Sequence, residues 1–260
     1  MCTKMTERDF ELALEVFRAC LPRVGAKAKN DRLFLEALHY FTLHNISWRA
    51  LPERFGNWNS VWKRFDRLGR AGVFEDYFSI LAGLDEGAHL IAMFDSTVIR
   101  AHVSAAGAKR GQEGQALGRS RGGFGTKIHL KTDRNGLTLG FELTGGEASD
   151  SKQFTDLMET GPDIKHRAIV ADKGYDSNAN REAARKAGAV PVIPYKSNRR
   201  EIPRHFAKAL YRGRARIEQM MGKIKRFKRV ALRCEKTARN FRSIVAIAAA
   251  FILIKSVHTA

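Results

Sequence analysis

The sequence predicts an α/β fold, a mixed sheet flanked by helices and preceded by a small all-α domain. Three observations predict it. Residues 1 to about 86 show only helical periodicity. Two short apolar runs, His89–Phe94 and Ala168–Ala171, lead into Asp95 and Asp172, as buried central strands do when they end at polar residues. Between them, Thr126–Lys131 and Leu137–Leu143 alternate apolar with polar residues on either side of Asn135-Gly136, a strong hairpin signal.

Each element has its own justification. Thr6 caps a helix to about Ala19, broken by Pro22 and Gly25. Asn30 or Asp31 opens a second through Leu43, with Leu33, Phe34, Ala37, Leu38 and Phe41 on one side. Past Pro52 and Gly56 a third covers about Asn57 to Arg70. Its Val61, Phe65 and Leu68 face inward, while Lys63, Arg64 and Arg67 face out. A fourth runs from about Val73 to Leu84. Short helices around a tight glycine turn, one of them basic, fit either a helix-turn-helix DNA reader or a structural bundle. The tryptophans Trp48, Trp58 and Trp62 belong to its core. Further on, Ser149–Thr160 and Ser177–Ala187 read as helices. Val190–Tyr195 is a strand that Pro191 and Pro194 confine to a sheet edge. Ser104–Gly125 holds seven glycines in 22 residues with Lys109, Arg110, Arg119 and Arg121, and reads as a mobile loop.

Charge narrows the function. The 260-residue chain carries 46 Lys and Arg against 27 Asp and Glu, a net +19. A surplus of that size favours a polyanion, most simply nucleic acid, through counterion release. From His205 to Arg242 there are 13 basic and 2 acidic residues, so +11 of the +19 is concentrated there. Cys2, Cys20 and Cys234 make no C-x-x-C pair, which fits a reducing compartment and disfavours zinc. No apolar leader opens the chain. The longest apolar run, Ile244–Ile254, is 11 residues and too short to span a bilayer. It reads as a buried terminal helix, so the expectation is a cytoplasmic protein without membrane contact.

The basic stretch contains Tyr-x2-Arg-x3-Glu-x6-Lys, from Tyr211 through Arg214 and Glu218 to Lys225. On one helix these fall at about 0°, 300°, 340° and 320°, a single narrow arc. Leu210, Ile217, Met220, Met221, Ile224 and Phe227 fill an apolar stripe beside it. The angles alone fit a solvated, salt-bridged face as well as a site. The spacing, however, resembles the Y-R-E-K motif of bacterial insertion-sequence transposases with a ribonuclease-H-like DDE catalytic core. Asp95-Ser96-Thr97, Asp172-Lys173-Gly174-Tyr175-Asp176, Gly118–His129 and the stretch from Trp48 to Val61 resemble segments of the same family.

The resemblance implies a ribonuclease-H-like mixed five-stranded sheet. Residues 1–86 would form the helical DNA-binding domain and 87–260 the catalytic domain. It implies that Asp95, Asp172 and Glu218 are the catalytic acids. Three carboxylates in one place need cations, and hard oxygen ligands suit two Mg²⁺ or Mn²⁺ ions. It further implies that Lys225 and Arg214 grip phosphates and Tyr211 packs on the DNA end. Lys63, Arg64 and Arg67 are the candidate DNA contacts of the helical domain. Asp176 is expected to cap the next helix, and His102 and His129 to be core or surface residues. The expected activity is binding of terminal inverted repeats in double-stranded DNA, hydrolysis at each end, and joining to target DNA by a homodimer or larger assembly. Its rivals are a related nuclease that cuts without joining, and a catalytically silent DNA-binding repressor derived from a transposase.

Overall fold

The computed structural model describes residues 3–23, 28–84, 90–108, 111, 113–199, 202 and 206–257. Cys2, Gly25, the expected boundary at 86/87, His89, Lys109 and Arg110 lie outside them. The chain forms two compact units. One combines Met1–Leu81, Ile99–Leu117 and Lys223–Ala260, and the other Ala82–Val98 and Gly118–Gly222.

The first unit is largely helical. Helix α1 (Glu7–Ala19) starts at a capping box in which Asp9 N donates to Thr6 Oγ1 and Thr6 N to Asp9 Oδ2. Helix α2 (Asp31–His44) is capped by Asn30 and stopped by Asn45 in the left-handed region, at φ 53°. Helices α3 (Trp58–Arg70) and α4 (Val73–Ala82) are joined through Gly72, whose φ of +74° suits glycine. After α9 (Lys228–Ala231), the long helix α10 (Ala238–Val257) buries every residue from Ser243 to Ile254. It is long and apolar enough to cross a membrane by composition, yet it is mostly buried in protein, as a core helix would be. Trp48 stacks on Phe41 at 3.7 Å and leans on Phe65. Arg64 does not face out as expected. It pairs with Asp31 at 2.5 Å and covers the Phe34 ring, because an arginine stem packs well on apolar surface when its head finds a carboxylate.

The second unit holds the sheet. Strands β1 (Ile91–Ala101), β2 (Gly118–Ser120), β3 (Gly123–Thr132), β4 (Thr138–Gly145), β5 (Ala168–Ala171) and β6 (Val190–Val192) run in the order β2-β3-β1-β5-β6, with β4 also on β3. Strands β1, β5 and β6 are parallel, and β3 is antiparallel to β2 and β4. A β4-β3-β1-β5-β6 series is the ribonuclease-H-like order. Strand β6 is an edge, as Pro191 within it requires, but it ends at Val192, so Pro194 lies beyond the strand rather than in it. Parallel neighbours need crossovers, here α5 (Phe154–Glu159) before β5 and α6 (Asn178–Lys186) before β6. Ala92, Phe94, Ile169 and Ala171 from the sheet pack with Phe154, Leu157, Tyr175 and Ala184 from that side. Each large side chain fully removed from water there contributes roughly 1.5–3 kcal/mol.

Three expectations are corrected. The sheet has seven strands rather than five: β2 emerges from the glycine-rich segment, and β7 (Leu232–Arg233) pairs with Arg100–Ala101 of β1. Strand β1 continues through Asp95 instead of ending there. The motif helix is also not continuous. Helix α7 (Lys208–Arg212) closes at Gly213 and α8 (Ala215–Lys225) begins anew, so Tyr211 and Glu218 sit on different helices.

Candidate active site

The last paired residues of β1 and β5 are Phe94 and Ala171. Asp95 and Asp172 each come one position later, so parallel register places them side by side. Side chains alternate across a strand. Phe94 and Ala171 enter the core beneath α5 and α6, which turns Asp95 to the opposite face, while Asp172 follows the last residue of β5 and caps the turn Lys173–Tyr175.

Helix α8 serves that face. Its Ile217, Met220, Met221 and Ile224 are buried, as the stripe predicts, whereas Leu210 of α7 is exposed. The Gly213 break leaves Arg214 at the mouth of α8, where its guanidinium spans two carboxylates. Arg214 Nη2 donates to Asp95 Oδ2 at 2.7 Å and Nη1 to Glu218 Oε1 at 3.0 Å. Burial raises the Asp95 carboxyl above its usual range, with Asp172 adding to the rise and Arg214 opposing it. Asp172 Oδ1 accepts from Gly174 N at 2.8 Å.

Three acids are therefore associated, but unequally. Asp95 and Asp172 are in register, and Glu218 joins through Arg214. Glu218 is exposed over 58% of its side chain, which leaves it free to turn. Among the described residues no three His, Cys, Asp or Glu side chains are gathered tightly enough to hold a metal directly. The donor set nevertheless suits a hard divalent cation, being all carboxylate oxygen. The guanidinium already supplies positive charge at that position. Tyr211 meets the Phe206 ring edge-on at 5.4 Å, and Lys225 ends α8. Lys63 and Arg67 are exposed on α3.

Sequence reasoning missed Asp150. On the far side of β1, Ser96 Oγ donates to Asp150 Oδ1 at 2.7 Å and Lys127 Nζ does so at 3.1 Å. Ser96 N meanwhile donates to Asp95 Oδ1 at 2.8 Å. Asp150 thus steadies the residue beside Asp95. His129 is fully buried next to this group, with Nε2 on Thr144 Oγ1 at 2.8 Å. Burial depresses its imidazole to about 4, so it is a neutral core histidine. Asp176 is not the helix cap. Ser177 caps α6, while Asp176 is buried between Arg181 and Arg199 at 2.9 and 3.0 Å. No periodic signal marks such pairings, because they join residues far apart in the chain.

A ribonuclease-H-like sheet bearing adjacent acids on its central parallel strands defines the class. The family model described as "Transposase DDE domain" matches residues 86–253, and "Putative transposase of IS4/5 family" matches 5–78. The chain belongs to the DDE-domain transposases and is an insertion-sequence transposase. It is 34% identical over 131 residues to a putative transposase for insertion sequence element IS6501 of Brucella ovis, covering 50% of this chain and 98% of that one. It is 41% identical over 96 residues to the uncharacterized protein y4sN of Sinorhizobium fredii, covering 35% and 75%. A putative transposase for IS402 of Burkholderia cepacia is 32% identical over 44% of this chain and 56% of its own. Among solved structures, a Mos1 transposase paired-end complex with left transposon end covers 78% of this chain and 80% of that one, at 12% identity and TM-score 0.28. A pre-cleavage Mos1 transpososome covers 91% and 82%, at 14% identity and TM-score 0.29.

Proposed function

We propose that this protein binds the inverted ends of its element in double-stranded DNA, cleaves them at Asp95, Asp172 and Glu218, and joins them to target DNA. The observation that carries the reading is the parallel register that sets Asp95 beside Asp172, with Glu218 arriving on α8. The three carboxylates would hold divalent cations, Mg²⁺ or Mn²⁺. When bound, such ions lower the pKa of an attacking water and stabilise the leaving oxygen.

The residues around them have separable tasks. Asp95 and Asp172 are fixed by the sheet and by backbone N–H groups of Ser96 and Gly174. Glu218 exchanges Arg214 for the site as the helix mouth adjusts. Arg214, released, presents a planar fork to a phosphate oxygen of the scissile strand. Tyr211 packs on the DNA end and Lys225 takes a phosphate nearby. In the helical unit, exposed Lys63 and Arg67 contact flanking DNA, whereas Arg64 serves packing. Two ends must be held together for transposition, so the working form is a homodimer or larger assembly on DNA.

The test is cleavage of duplexes carrying the DNA that brackets the gene, in Mg²⁺. Asp95→Asn, Asp172→Asn and Glu218→Gln should each abolish cutting while end binding persists. Retained cutting in all three would reject the assignment. Supplying pre-cleaved ends with target plasmid separates a transposase from a nuclease, since only the former yields joined product.

A further inference from the structure

The composition of the glycine-rich segment predicts a loop, yet its last part is a built hairpin. Arg119 of β2 pairs directly with Phe124 of β3, and Arg121-Gly122 forms the tip. Gly123 takes φ +97°, which suits glycine. The tip is stitched by one side chain: Gly122 N donates to Ser120 Oγ at 3.2 Å, and Ser120 Oγ donates to Gly123 O at 3.1 Å. A hairpin tied in this way holds what it displays. It displays Arg119 and Arg121, both exposed, and Phe124 with 59% of its surface in solvent. Phe124 faces Arg119 directly across the ladder, with Arg121 at the turn beyond it.

Its orientation follows from alternation. Lys127 and Ser96 both reach Asp150, so they share one face of the sheet. Phe124 lies three residues before Lys127, an odd number, and therefore points to the other face. Asp95, next to Ser96, points there too. Arg119, directly opposite Phe124, shares that face, and β3 is the sheet neighbour of β1. The exposed aromatic and its arginine stand on the side of the sheet that carries Asp95.

We propose that the β2–β3 hairpin is a base-stacking contact for the DNA end: Phe124 lies on an unstacked base near the scissile position, and Arg119 and Arg121 take the phosphates on either side. Every base has a π-face, so an aromatic platform works without sequence readout, and flanking cations track the backbone. This rests on the proposed DNA path across the Asp95 face.

The experiment places 2-aminopurine at successive positions of the end duplex and reads its fluorescence on binding, with anisotropy for affinity. With the wild type, one or two adjacent positions change. Phe124→Ala should erase that change and weaken binding about tenfold, while Phe124→Trp keeps both. Arg119→Gln and Arg121→Gln should each lower the salt slope by about one phosphate's worth. The melting curve of Phe124→Ala should match the wild type, because the ring is exposed. Binding with an unchanged signal in Phe124→Ala, or with no signal at any position in the wild type, overturns this inference alone. Failure of the wild type to bind or cut any end duplex overturns the proposed function and this inference with it.

Discussion

Arg214 is a cation placed among acids, and its behaviour tests how the site is balanced. Removing it leaves Asp95 half-buried without its counter-ion, which costs about 1–3 kcal/mol in a pair of this exposure. Arg214→Ala should therefore lose stability in metal-free urea titrations and regain most of it in Mn²⁺. Equal loss with and without the ion would show that the guanidinium does not hold a cation position. His129 gives a pH test. Its folded value of about 4 lies below the unfolded 6.5, so the unfolded chain takes up the proton first. Stability should fall as pH drops through that window, by about 2 kcal/mol between pH 7 and pH 5. His129→Gln should flatten the fall, and an unchanged slope would contradict the burial argument. At this scale the neighbouring placement of Asp95 and Asp172 was readable from motifs. Asp150 was not, because it meets Ser96 across 54 residues of chain and only the folded sheet joins them.

Hairpin and helix meet at Gly136, between β3 and β4. It adopts φ +83°, and a Cβ there would come within 2.8 Å of Arg216 O on the first turn of α8. Gly188 has a similar φ, +79°, with open space around it. Alanine at Gly188 should cost only the left-handed penalty, about 1–2 kcal/mol, while Gly136→Ala should cost clearly more and displace the helix that carries Glu218. Thermal melts of the two variants check this; equal losses would mean that the turn and α8 do not press on one another. Strands and helices of this unit were legible because alternation and capping are local. The interruption of the motif helix was not, since an angular projection assumes continuity. Gly213 was the available signal, being about 1 kcal/mol worse than alanine in a helix. The hairpin at Gly118–Gly125 was hidden for a related reason: glycine carries no side chain for a pattern to register.

Across the whole molecule, charge and sheet register speak to the same chemistry. A net charge of +19 makes association with DNA depend steeply on salt, and Lys225→Ala should reduce the slope of log K against log salt by about one contact. An unchanged slope would remove Lys225 from the interface. Composition conveyed this property because it is a sum over residues. Which distant segments pack together is set by long-range burial, and local periodicity does not contain it. The central claim is that Asp95, Asp172 and Glu218 enclose one divalent-ion site. Loading the protein with Fe²⁺ in place of Mg²⁺ and adding ascorbate and peroxide cuts the backbone where the ion sits. Cuts clustered at residues near 95, 172 and 218, competed away by Mg²⁺, are the predicted result. Cuts that spare any of the three, with the end duplex bound, would contradict it.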